Sequence, residues 1–273
     1  MLKCRYVVKR KCPFLISVPH GGIGIPEMVQ PAVGLTQDKI RYYSDPDTQV
    51  LFGLKNRVEA YLDTPISRMI VDLNRPPLPL PPRDPDGIIK SLTPDGEKVY
   101  LPDKFPDMIL IHKLLMEFYF PFHQRIDELI DRRPVTMAFD CHSMVPVGSP
   151  GQKDAGRPRP LICLGNNGDH RGNARKGSIT TCPPEWIQVL AGIFRDEFTL
   201  GCEVAINNPF SGGFISNAHF WRKGVPWIQI EINRALYESG KGQTHYGEQG
   251  SKTLPELRER IWKVLTSFWD TVG

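Results

Sequence analysis

Several features are missing from this 273-residue chain, and each absence removes a class of function. No apolar run approaches the roughly 18–20 residues that a membrane span requires. The opening MLKCRYVVKRKCPF is broken by charges where a signal peptide would carry its apolar region, so the expectation is a cytoplasmic protein with no membrane partner. The six cysteines (Cys4, Cys12, Cys141, Cys163, Cys182, Cys202) include no CxxC pair. That excludes a zinc ribbon or dithiol motif and predicts free thiols in a reducing compartment. HExxH is absent, and GIGIPE (22–27) has glycines after a strand but neither GxGxxG nor Walker spacing. Charge is nearly balanced, with 34 Lys and Arg against 30 Asp and Glu. The net +4 is too small and too scattered for a nucleic-acid partner, and suits a small anionic metabolite equally well.

What is present reads as one soluble domain spanning 1–273, with 40% hydrophobic and 23% charged residues. FLISV (14–18), SRMIV (67–71), VTMAF (135–139), LICL (161–164), CEVAI (202–206) and WIQIEI (227–232) are strand candidates. Helical patterns cover 47–60, 107–131 with a kink or break at Pro121, 183–198 and 253–270. Strands alternating with helices predict an α/β fold: three layers, a mostly parallel mixed sheet, helices on both faces. The stretch 76–106 is rich in Pro, Asp and Gly, and such a long irregular connection suggests a lid.

Polar residues gather at the carboxyl ends of these strands. His20 follows 14–18, Asn74 and Arg75 follow 67–71, His142 follows 135–139, and Glu231 sits near the end of 227–232. Ligands of open α/β sheets bind just outside those ends, so separate segments can deliver them to one crevice. Such long spacing suits a catalytic metal site, which keeps a coordination position for water, better than a structural clip.

Several blocks in order along the chain resemble the N-formylglutamate amidohydrolase family: PHGG (19–22), SDPDT (44–48), VDLNRPP (71–77), DGEKVY (95–100), DCHS (140–143), SGGFI (211–215) with His219 beyond it, and QIEINRALY (229–237). The resemblance implies a zinc-carboxypeptidase-like fold. Two histidines and an acid would hold one Zn²⁺, a late glutamate would act on its water, and the Asn-Arg pair would grip a substrate carboxylate.

On that basis His20 and His142 are the expected zinc ligands, with Asp47 as the acid. Asp45 is the alternative if Asp47 serves only as a helix cap. Glu231, costly to bury in an apolar strand without a partner, is the expected general base. His219 is preferred over Arg222 for stabilising the oxyanion. Asn74 and Arg75 would hold the amino-acid carboxylate, and Arg222, Arg234 or Lys153 a second one. Asp140 and Ser143 would orient His142. The substrate expected is N-formyl-L-glutamate. The alternatives are peptides, other N-acyl amino acids, or an inactive protein that merely binds anionic metabolites. Structural readings stand beside these: Glu231 paired with Arg234, Arg75 at the sheet edge, and His219 packed with Phe220 and Trp221.

Overall fold

A computed structural model describes residues 11–198, 203–238 and 253–273; Cys4, Cys202 and His245 lie outside them. Side chains of β1 (Cys12–Val18) alternate between two cores, with Phe14, Ile16 and Val18 on one face and Leu15 on the other. Beside β1 run β2 (Val58–Asp63) and β3 (Met137–Met144), both parallel to it. Beyond β3 lie β6 (Trp227–Asn233), parallel to β3, then β4 (Ile162–Gly165), antiparallel to β6, and β5 (Val204–Ile206). The result is a mixed six-stranded sheet of order β2-β1-β3-β6-β4-β5.

Helices cover both faces, as expected. One core takes α2 (Thr48–Leu51), α5 (Pro184–Phe198) and α7 (Leu254–Val272) against Phe139, Cys141, Ile228, Ile230 and Ile232. The other takes α1 (Gln37–Tyr43), α3 (Met108–Leu114), α4 (Phe120–Arg132) and α6 (Phe214–Lys223) against Leu15, Ala138 and Trp227. Between α3 and α4 the chain widens into a π-type turn, Leu115–Tyr119. Pro121 stands in the first turn of α4, and the widened turn before it accommodates its missing amide donor where a kink or break was expected. Cys12, Cys141, Cys163 and Cys182 are free thiols.

Three sequence expectations differ from the structure. SRMIV is not a strand: Met69, Ile70 and Val71 are buried, but Ile70 N and Val71 N both donate to Ser67 O in a tight turn. The helix expected over 47–60 stops at Leu51, and its second half is β2, where Val58 and Ala60 are buried. The stretch 76–106 lacks helix and strand but is packed as a wall, with Ile88, Ile89, Lys90, Val99 and Tyr100 buried.

Candidate active site

The second core changes character toward the carboxyl ends of the central strands. Along β3, Ala138 gives way on the same face to Asp140 and His142; along β6, Trp227 gives way to Gln229 and Glu231. His142 and Glu231 are cross-strand partners. From β1 the chain pairs with β2 on one side and β3 on the other, so loops leaving these strands part and open a crevice. His20 stands there, just past β1.

Asp45 enters from the loop before α2, its backbone N–H donating to His20 O at 2.9 Å. Its Oδ2 lies 3.0 Å from His142 Nδ1 and 3.5 Å from His20 Nδ1, and the two Nδ1 atoms are 3.1 Å apart. All three residues are buried, and one ligand atom from each falls within 4.8 Å of the others. Both imidazoles are held from behind by carboxylates. His20 Nε2 lies 2.7 Å from Asp72 Oδ1, and His142 Nε2 lies 3.0 Å from Asp140 Oδ2. A carboxylate accepts only, so each Nε2 carries a hydrogen, and when neutral each ring would turn a bare Nδ1 toward Asp45. Two lone pairs and a carboxylate oxygen converging on one point are a donor set for a divalent cation.

Without an ion, a proton on His142 supplies the positive charge that this cluster calls for. Burial alone would raise the Asp45 carboxyl, but hydrogen bonds from His142 and His20 outweigh it and hold it well below the carboxylate range. Burial would lower His142, yet Asp140 and Asp45 raise it well above the ordinary imidazole value. Glu231 is pushed up to about 7 by burial, against the pull of His142. Its Oε1 accepts from Gln229 Nε2 at 2.8 Å.

Asp72 is the hub of the site, and it carried no role in the sequence reading. Its Oδ1 accepts from His20 Nε2 and from Asn74 N; its Oδ2 accepts from Arg68 Nη2 at 2.8 Å and from Lys90 Nζ at 3.0 Å. Lys90 is 0% exposed and also bonds Asp86, which ties the 86–90 wall to the site. Burial lowers the Lys90 ammonium. Burial would raise Asp72, but Arg68 and Lys90 hold it well below the carboxylate range.

The crevice holds about 150 Å³, below the roughly 300–1,000 Å³ typical of drug-sized ligands, and suits a molecule of amino-acid size. Four guanidiniums line it: Arg68, Arg75, Arg159 and Arg234. Arg75 donates Nε and Nη2 to Asp86 and Nη1 to Asn74 O, three of its five N–H groups. Asn74 also lines the crevice, and its carboxamide is fixed: Nδ2 donates to Asp140 Oδ2 at 3.1 Å and Oδ1 accepts from Ile215 N at 2.8 Å. Arg234 donates to Ser143 Oγ and to the carbonyls of Tyr42 and Ser44.

Other expected residues fall elsewhere. Asp47 has a left-handed backbone, φ 65°, which turns its carboxylate outward to Arg41 Nη2 at 2.6 Å; the acid in the cluster is Asp45. His219 lies on α6 facing α4, with Nδ1 2.9 Å from Asp127 and Nε2 2.9 Å from His123, and does not line the crevice. Arg222, 70% exposed, pairs with Asp127 on that same helix interface. Lys153 is exposed and outside the lining. An i, i+2 carboxylate–histidine pair in one strand was a readable sign for Asp140. Arg68, Lys90 and Arg159 carried no local signal, since their meaning lies in tertiary partners.

A family model for N-formylglutamate amidohydrolase matches residues 12–238. The crystal structure of N-formylglutamate amidohydrolase from Ralstonia eutropha JMP134 superposes with TM-score 0.69 at 22% identity, covering 96% of this chain and 94% of that one. A gene product of Agrobacterium tumefaciens superposes with TM-score 0.64, also at 22% identity, covering 94% and 92%. Both likenesses establish the fold. No curated protein sequence matches.

Proposed function

The chain belongs to the N-formylglutamate amidohydrolase family and is a hydrolase of an amide bond, and from that premise we propose that it cleaves N-formyl-L-glutamate to formate and glutamate with one zinc ion. The observation that carries the metal is the convergence of one ligand atom each from His20, Asp45 and His142. Those three side chains would hold the ion, with Asp72 and Asp140 fixing the rings behind it. When bound, zinc supplies Lewis acidity toward the scissile carbonyl and lowers the pKa of the attacking water.

The protein's own groups do the rest. Glu231 takes a proton from the water and returns it to the departing nitrogen, a role that suits a carboxyl raised by burial toward neutrality. Gln229 fixes Oε1 of that carboxylate, which leaves Oε2 for the proton. Arg75, already oriented by Asp86, presents its remaining N–H groups to the α-carboxylate, with Asn74 beside it. Arg159 and Arg234 are the crevice cations for the side-chain carboxylate.

The test is metal content together with a substrate panel. Purified protein should hold about one zinc per chain and turn over N-formyl-L-glutamate faster than N-acetyl-L-glutamate, N-formyl-L-leucine and a glutamyl dipeptide. Equal rates on N-formyl-L-leucine would remove the two-carboxylate reading, and full activity after chelation would remove the zinc.

A further inference from the structure

Behind the crevice wall, four groups form one hydrogen-bonded row: Asp127 Oδ1, His219, His123 and the carbonyl of Leu73. His219 Nδ1 lies 2.9 Å from Asp127 Oδ1, His219 Nε2 lies 2.9 Å from His123 Nδ1, and His123 Nε2 lies 3.1 Å from Leu73 O. The two rings are stacked, 17° from parallel with centroids 5.2 Å apart. The row ends in an acceptor on each side. A carbonyl cannot donate, so His123 Nε2 carries a hydrogen. Asp127 is held by Arg222 at 2.9 Å as a carboxylate, so His219 Nδ1 carries one too. If both imidazoles were neutral, those hydrogens would be their only ones. His123 Nδ1 and His219 Nε2 would then meet at 2.9 Å as two bare lone pairs in a buried site, an arrangement that costs free energy with nothing to offset it. One more hydrogen between them satisfies every atom in the row.

We infer that His123, His219 and Asp127 hold one proton more than two neutral imidazoles and a carboxylate, and that through Leu73 this charged pair positions Asn74 and His142. Leu73 directly precedes Asn74, whose Nδ2 donates to the same Asp140 oxygen that holds His142. None of the three touches the crevice, so they are positioning residues. The surroundings fit a single buried cation. Tyr119 packs 4.4 Å from the His123 ring, Phe214 5.5 Å from it, and Trp227 6.0 Å from His219. Burial, with Arg222, holds His219 below the ordinary imidazole value, although Asp127 and, through space, Asp140 pull the other way. Burial, with His219 beside it, pushes His123 down to about 3, so of the two rings His219, 2.9 Å from Asp127, is the better place for the extra proton that the geometry of the row calls for. The contrast with His20 and His142 is chemical. There two nitrogens and a carboxylate oxygen converge in the crevice, a set of three that suits a metal ion; here two nitrogens meet with no carboxylate between them, and a proton suffices.

The experiment is nitrogen-15 histidine NMR on the metal-loaded enzyme at pH 8, where an ordinary imidazole of pKa about 6.5 is neutral. His123→Gln and His219→Gln variants would assign the signals. Three ring hydrogens shared by His123 and His219 are expected; two neutral rings would overturn the inference. Asp127→Asn gives a second arm, because its amide can donate to His219 Nδ1 and satisfy the row with only two ring hydrogens. The pair should become neutral in that variant without losing the fold. Retention of three hydrogens there would also overturn it. For positioning, His123→Leu should lower kcat about ten-fold with metal content and KM unchanged. His123→Gln, whose amide nitrogen can still reach Leu73 O, should recover to within about two-fold of wild type. A wild-type kcat in His123→Leu, or equal loss in both variants, would reject the positioning role.

Discussion

The Nδ1 atoms of His20 and His142 face each other across 3.1 Å, each ring's far nitrogen committed to its own carboxylate. Asp45 completes that set and Asp47 does not, although only two positions separate them. Asp45→Asn should therefore purify with well under half the zinc of wild type and lose turnover. Asp47→Asn should keep its metal and lose only the exposed pair with Arg41, about 0–1 kcal/mol of stability. Elemental analysis of the two purified variants separates them, and a zinc-replete Asp45→Asn would remove Asp45 from the ligand set.

In the proposed mechanism Glu231 moves a proton and does not hold the ion. Glu231→Gln should retain about one zinc per chain, since Gln229 still has a partner oxygen, while kcat falls by about 10²–10⁴. Steady-state kinetics alongside metal content check this. Normal turnover in the variant would dismiss Glu231 as the base.

How far the sequence could be read depended on whether a residue's role was local. Strands such as FLISV and WIQIEI announced themselves because burial on both faces demands continuous apolar runs. SRMIV carried the same signature for another reason, a buried turn, and its composition could not tell a ladder from a bend. Val50, Leu51, Leu54 and Val58 share a helical period across two elements, which hid β2. At the site, His20, His142 and Glu231 were legible from their places at strand ends; Arg75 was picked out by a strand that is in fact a buried turn. The choice between Asp45 and Asp47 was not, because it turns on a left-handed residue with no glycine to signal it. Lys90 read as one charge in an irregular loop; only the fold shows it 3.0 Å from Asp72.

Stability should carry one clean acid-sensitive contribution away from the site. Glu197 at the end of α5 meets Lys263 at 2.7 Å and Arg260 at 3.2 Å, both on α7. Burial would raise its carboxyl, but the two cations outweigh it and the folded value is lowered. The unfolded chain thus takes up the proton first as pH falls. The contribution is fully present above the unfolded value of about 4.3 and is lost as pH drops through the folded one. Glu197→Gln should cost about 0.5–1 kcal/mol at pH 7, with that difference shrinking below pH 4. Urea midpoints of both proteins from pH 7 to 3 measure it, and a gap that widened in acid would contradict the assignment.

Gly213 is constrained by side-chain space and not by backbone angle. Its φ of −116° suits any residue, yet a methyl group there would stand 2.2 Å from Asn74 Nδ2 and 2.3 Å from Oδ1. Asn74 cannot swing aside without losing its bonds to Asp140 and Ile215 N, and with them the brace behind His142 and the start of α6. Gly213→Ala should therefore lower kcat at least about ten-fold by displacing Asn74, since small misplacements near reacting groups are costly. Gly192→Ala on α5 is the control: a methyl there meets nothing within 4 Å, and helix propensity predicts a gain of about 0.5–1 kcal/mol with unchanged kcat. If Gly213→Ala turned over like wild type, the Asn74 brace would not be needed for catalysis. The approach of α6 to the DLNR turn would then be a matter of packing alone.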